Sequence, residues 1–265
     1  MRVGLTLATE SGNLPQAVQQ AVLAERAGVE TIYVVERHFD PDAGYANAFG
    51  VAAALSGRLQ HAWIGVQPAI GLEHPLRIVE QSNMLDTLTR GRCTIVISPN
   101  TDAPQYESFG LPAPRNGLFG DLVQHMENAW GWRFREDGPP LEFRTGAFSA
   151  RMAGRIMPSA LRSSRPLLAR DACTAEEVRE AARHGWALQL SNADQAQDLA
   201  ALYLEELSSN GLQASTVAAL RERLAVCVEG APPPAHIRQL AACGVAELRV
   251  DAGSLDTVLE VMRTL

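Results

Sequence analysis

The sequence contains no lysine; all 23 of its basic residues are arginine. That excludes a Schiff-base lysine, a pyridoxal-phosphate lysine and the lysine of a phosphate-binding P-loop. Cysteine is sparse. Cys93, Cys173, Cys227 and Cys243 are scattered, with no CxxC and no nearby histidine pair, which rules out a zinc ribbon and reads as reduced, structural thiols. No HxH, no HExxH and no carboxylate pair clustered with a histidine occurs, so no catalytic metal is expected. The absence of GxSxG argues against a serine nucleophile of the hydrolase type. No apolar run reaches the roughly 18 residues that a membrane-spanning helix needs. The opening MRVGLTLATESG has no long apolar segment with a cleavage site; it reads as a first strand, with the cytoplasm as the expected location. A net charge of -7 speaks against a nucleic-acid or polyphosphate surface.

What is present is a 265-residue chain, 46% hydrophobic, enough for one large α/β domain or two small ones. Short β-branched runs fall at 3–8, 31–36, 62–69, 93–98, 165–170, 186–191, 223–229 and 246–251. Helical patterns alternate with them at 15–27, 75–88, 175–184, 194–207, 234–242 and 255–265. Eight strands with intervening helices predict a closed (β/α)8 TIM barrel. An open doubly wound sheet is the alternative, weakened because no GxGxxG follows the first strand. No repeat or linker marks a second domain, so residues 1–265 are expected to form a single barrel domain with irregular mouth loops at 99–118 and 137–164. Within the second loop, LEFRTGAFSARMAG is strand-like.

In such a barrel the C-terminal ends of the strands converge on one mouth. That rule selects Glu36, Arg37 and His38 from VVERHFD after strand two, and Gln67 with the more distant His74 after strand three. It adds Ser98 and Asn100, then Arg170, Asp171, Cys173 and Thr174, then Ser191 and Asn192, and finally Asp251. His38 has the imidazole suited to proton transfer near neutral pH. His74 precedes Pro75 and suits a helix start as well as a ligand. His61, His125, His184 and His236 lie on helices or their ends and read as surface or structural. Thr174-Ala175-Glu176-Glu177 has the form of a capping box. A helix beginning there would point free N–H groups at an anion, with Arg170 beside it for a bidentate contact.

Several of these segments together resemble the bacterial luciferase-like flavin-dependent monooxygenase family. VVERHF is similar to the end of that family's second strand. LEHPLRIVEQSNMLDTLTRGR, residues 72–92, is similar to its HP-[LI]-R-x-x-E…LD…S-x-G-R segment. ESFG at 107–110 and RPLLARDACTAEEVREAARHGWALQLS at 165–191 also resemble family segments. The resemblance covers most of residues 1–191. It implies a (β/α)8 barrel that binds reduced FMN at its mouth and uses dioxygen to oxidise a small organic substrate, with a separate flavin reductase supplying the cofactor. Some relatives use the deazaflavin F420, and others bind flavin without known catalysis. Family dimers pack through the helices after strands two and three. Here the stretch NAFGVAAALSG, Asn47 to Gly57, is rich in the small residues that permit close packing, and a homodimer is expected.

By position, the resemblance assigns Arg37 and His38 to the family's strand-two pair. It places Gln67 under the isoalloxazine, Ser98 near the flavin's reactive face, and Cys173 and Thr174 at the flavin phosphate, with Arg170 nearby. The chain departs from the pattern at three places. Arg37 stands where luciferase has a histidine base, and arginine stays protonated, so that work falls to His38 or is absent. Pro99-Asn100 replaces a family Arg-Gly. Arg170 and Asp171 replace small or hydroxyl residues, and Asp171 would repel a phosphate unless Arg170 pairs with it.

Overall fold

The computed structural model describes residues 1–7, 13–39, 45–99, 102–113, 115, 117–133, 135–161, 165–191, 193–251 and 255–265. The first half alternates β1 (Arg2–Thr6), α1 (Leu14–Arg26), β2 (Thr31–Val35), α2 (Ala48–Ser56), β3 (Trp63–Gln67), α3 (Pro75–Leu88) and β4 (Cys93–Ile97). An excursion follows, made of α4 (Ala103–Ser108), α5 (Leu118–Gly131) and a hairpin of β5 (Leu141–Thr145) and β6 (Phe148–Met152). The alternation resumes with β7 (Leu167–Ala172), α6 (Ala175–His184), β8 (Ala187–Leu190), α7 (Ala196–Ser209), α8 (Ala214–Arg221), β9 (Ala225–Val228), α9 (Pro234–Ala242), β10 (Glu247–Val250) and α10 (Leu255–Thr264).

Eight parallel strands close into a barrel in the order β1-β10-β9-β8-β7-β4-β3-β2. Closure is seen where β1 pairs on both sides, Leu5 with Val250 and with Ile32. The open-sheet alternative is thereby set aside. All eight expected strands are barrel strands, and the expected fifth is β7, which pairs directly with β4. β4, CTIVI, is buried along its whole length, as a strand covered on both faces requires. Among the described residues no helix is long and apolar enough to cross a membrane.

The helices begin where local chemistry supplies the missing acceptors. Asn13 Oδ1 accepts from the Gln16 N–H and Asn47 Oδ1 from the Gly50 N–H. The His74 ring accepts from the Leu76 N–H ahead of Pro75. α6 opens on the complete Thr174–Glu177 capping box and closes on Gly185 at φ 64, a left-handed cap that glycine takes without strain.

The two stretches expected to be irregular carry regular structure, which in the second agrees with its strand-like sequence. Residues 99–118 contain α4, and residues 141–152 form the β5–β6 hairpin. The later part of the excursion lies against α3 and α5. Asn83 links Trp130 Nε1 to the Pro158 carbonyl, and Asp86 accepts from the Leu161 N–H at 2.6 Å. His125 stacks on Phe143 at 4.2 Å and meets Thr145 Oγ1.

The barrel interior is filled partly by one ring. A Cβ placed on Gly65 would lie 2.2 Å from the Tyr33 ring, and one on Gly4 would lie 2.8 Å from it. Both glycines sit on strands that flank β2, so Tyr33 fits only because its two neighbours have no side chain. Its hydroxyl donates to Glu247 Oε1 at 2.6 Å, and Thr31 Oγ1 donates to Glu247 Oε2 at 2.8 Å. The buried carboxylate is thus satisfied, as a buried charge must be.

Candidate functional site

At the C-terminal ends of the strands lies a cavity of about 340 Å³, within the usual size of a small-molecule site. Its polar lining comes from Glu36 and Arg37 after β2, Gln67 of β3, Ser98 after β4, Asp102 before α4, Gln105 of α4 and Asp171 of β7. Among the described lining residues three carboxylates face one guanidinium, an acidic balance.

His38 is held beside this lining. Its Nε2 donates to Glu36 Oε1 at 3.2 Å, and the other Glu36 oxygen accepts from the Ala48 N–H that opens α2. A carboxylate only accepts, so in the neutral ring the pair places the proton on Nε2, and Nδ1 is an acceptor with no partner among the described residues. The ring packs edge-on against Phe109 at 4.9 Å, and Phe39 lies 5.5 Å from Phe109. Phe39 is 71% exposed and sits at φ 60, an uncommon conformation for a bulky residue. A half-buried second carboxylate, Glu73, has its pKa raised, first by burial and then by the Glu36 charge.

Gln67 accepts at Oε1 from Arg249 Nη1 at 3.3 Å. Asp171 accepts from the Ser191 hydroxyl. Asp251 accepts from Thr6 and from Arg249 Nε. Asn100 and Asn192 lie outside the described residues, as does Asp40.

The α6 side is arranged differently from the expectation. Arg170 is 2% exposed and points away from the mouth, toward the surrounding helices. Its Nη2 donates to Glu177 at 2.7 Å, its Nε to Glu180 at 3.4 Å, and its guanidinium stacks over Phe119. The reason is strand alternation: neighbouring residues face opposite sides, and Asp171 takes the inward one. Cys173 and Thr174 are exposed at the start of α6, where their backbone N–H groups both donate to Glu177 Oε2, at 3.0 and 3.1 Å. The Thr174 hydroxyl and the Cys173 thiol turn to the same oxygen. Burial pushes the Cys173 thiol up, reinforced by Glu177. For Glu177, burial acts upward, but the Cys173 N–H, Arg170 and Thr174 together hold its pKa below the usual carboxylate value.

His74 does not line this cavity. It caps α3 and its Nε2 meets the Ser149 carbonyl of the hairpin at 3.2 Å.

Residues that the strand-end rule did not single out include Arg249, Asp102 and Phe109. Arg249 had a readable signal. In ELRVD the period of two places Glu247, Arg249 and Asp251 on one strand face, and in a barrel that face is the interior.

The profile of luciferase-like monooxygenases matches residues 1–241. The chain belongs to the luciferase-like monooxygenase family. Solved structures agree on the fold. A monooxygenase from Streptomyces bottropensis superposes with TM-score 0.72 at 14% identity, covering 100% of this chain and 97% of its own. The oxygenating constituent of 3,6-diketocamphane monooxygenase from Pseudomonas putida, in complex with FMN, gives TM-score 0.68 at 16% identity, covering 91% and 71%. An F420-dependent secondary alcohol dehydrogenase, bound to an F420-acetone adduct, gives TM-score 0.73 at 12% identity, covering 99% and 97%. A search of curated proteins finds no sequence match. Within this luciferase-like frame the cavity occupies the face of the barrel where strand ends deliver reactive groups.

Proposed function

We propose that this chain is a flavin-dependent monooxygenase of the luciferase-like family, which takes reduced FMN from a separate reductase and uses dioxygen to oxidise a small organic substrate. The observation that carries the reading is the Glu36–His38 pair beside a cavity lined by Gln67 and Ser98. The donor set fits the ring of a flavin: an amide and a hydroxyl for its polar edge, and an aromatic margin from Phe39 and Phe109. The phosphate end fits only when Glu177 moves, because that carboxylate now receives the Cys173 and Thr174 N–H groups.

Reduced FMN, when bound, supplies the electrons and activates dioxygen. The protein's residues do the rest. Gln67 and Ser98 hold the ring. His38 takes or gives a proton at Nδ1, with Glu36 fixing the ring and stabilising the charged imidazolium. Arg37 cannot act as a base; among the described residues lining the cavity it offers the one positive charge. Thr174 and Cys173 would hold the phosphate once Glu177 yields, and Arg170, bonded to Glu177, sets where that carboxylate rests. Phe39 and Phe109 limit water at the opening. A homodimer through α2 and α3 completes the reading; Met84 and Leu88 of α3 are exposed apolar residues one helical turn apart.

The test is an anaerobic fluorescence titration with oxidised and photoreduced FMN, followed by oxygen uptake with a flavin reductase. Tight binding of the reduced form, with substrate-dependent uptake, supports the monooxygenase. The second reading is a flavin-binding or partner-subunit barrel without catalysis, favoured by Glu177 in the anion cradle; it retains flavin and shows no substrate-dependent uptake. Binding of F420 in place of FMN makes the chain a hydride-transferring oxidoreductase.

A further inference from the structure

The floor of the mouth is organised by a charge that does not line it. Arg249 is 3% exposed and lies inside the barrel over the face of Tyr33, 4.6 Å from the ring centroid. Its Nε donates to Thr6 Oγ1 at 2.7 Å and to Asp251 Oδ1 at 3.0 Å, and its Nη1 donates to Gln67 Oε1 at 3.3 Å. A guanidinium has five donors and no acceptor. A carboxamide beside it must therefore present its oxygen, whichever way the amide is first drawn. We propose that Arg249 is a positioning residue that locks the Gln67 carboxamide with its oxygen inward and its NH2 toward the mouth. The cavity floor then offers a hydrogen-bond donor and selects a flat ligand whose edge carries a carbonyl or anionic oxygen.

The choice of a flavin as that ligand rests on the function proposed above; the orientation of Gln67 does not. The anchor is rigid because each flank of Arg249 is occupied. Tyr33 blocks movement toward the barrel bottom, and Asp251 and Thr6 hold Nε. An acceptor floor would repel the pyrimidine carbonyls of a flavin, and a donor floor pairs with them.

Two measurements decide it. In the first, thermal unfolding of Gln67→Glu is compared with Gln67→Leu at neutral pH. If the Gln67 oxygen already faces Arg249, a carboxylate there keeps the contact as an ion pair, and Gln67→Glu holds the wild-type Tm while Gln67→Leu falls. A Gln67→Glu variant less stable than Gln67→Leu overturns the proposal. In the second, oxidised FMN is titrated by fluorescence. Gln67→Leu and Arg249→Met are each expected to bind about tenfold more weakly, the size of one hydrogen bond. The double variant should lose no more than either single one, because Arg249 acts through Gln67. Arg249→Lys, also a pure donor, should restore most of the affinity, which a merely structural loss would not. Additive losses, or no rescue by lysine, overturn the proposal. If Arg249→Met does not fold, Arg249→Lys and the unfolding pair still decide. If the wild type binds no flavin, the function proposed above falls alone, and the unfolding pair still judges the orientation.

Discussion

The two sides of the mouth use similar residue types to opposite ends. On the β2–β3 side, His38 and Gln67 are each held by one partner among the described residues, Glu36 and Arg249, and keep a second hydrogen-bonding group for a ligand. On the β7–α6 side, Arg170, Cys173 and Thr174 all converge on Glu177. Charge and donors there are satisfied within the protein. A helix start with a nearby arginine is thus an anion site only if nothing of the chain's own has taken the anion's place.

The comparison can be broken most forcefully at His38. His38→Ala is expected to lower substrate-dependent oxygen uptake by about 100-fold or more with FMN affinity kept; equal uptake in the variant would move the working side of the mouth to α6. Next comes Arg170→Met, which leaves Glu177 and Glu180 without their buried partner. Urea unfolding should show a loss of about 3 kcal/mol, the low end for breaking a buried pair because both acids keep some solvent. The Tm should fall by roughly 6–12 °C. A change under about 1 kcal/mol would mean that Arg170 is not the counter-charge of this side. Thr174→Ala removes the cap of α6 and should cost about 1 kcal/mol, with weaker FMN binding because the hydroxyl proposed to hold the phosphate is gone.

The smallest effect sharpens the contrast. Glu177→Gln keeps a capping box and removes the charge, so FMN should bind about fivefold tighter, on the order of 1 kcal/mol at a helix start, while riboflavin, lacking the phosphate, is unchanged. Equal gains for both flavins would show that the cradle is not where phosphate goes. The same variant has a pH signature. Glu177 titrates lower in the folded protein than in the unfolded chain, so its stabilisation is complete above the unfolded value of about 4.3 and is lost as pH falls through the folded value. Wild type and Glu177→Gln should therefore differ in stability at pH 7 and converge in strong acid.

Much of this was legible in the sequence, and the gaps have physical causes. The barrel strands were readable because each is a short β-branched run between turn residues. The start and end of α3 and α6 were readable from Pro75 and from the Thr174 capping box. α5 was hidden because its N-cap is Gly117 at φ 80, with no side-chain cap to announce it. α4 is six residues long, too short for a helical period to show. At the site, His38, Gln67 and Ser98 follow from the strand-end rule. Arg170 did not obey it, since a strand end has two faces and Asp171 occupies the inner one. Glu177 was visible as a capping residue, but its grip on Cys173 and Arg170 depends on packing that no spacing in the sequence encodes.

The fit of Tyr33 between Gly4 and Gly65 has a consequence for anyone reshaping this pocket. The ring is a platform inside the barrel beneath Arg249, which in turn holds Gln67 at the floor of the cavity. Shrinking it would not simply lengthen the pocket, because Glu247 would lose its 2.6 Å donor and Arg249 its platform. The platform, the charge below and the donor at the floor are one mechanical unit, so selection for longer substrates should favour changes at the rim before any change at Tyr33.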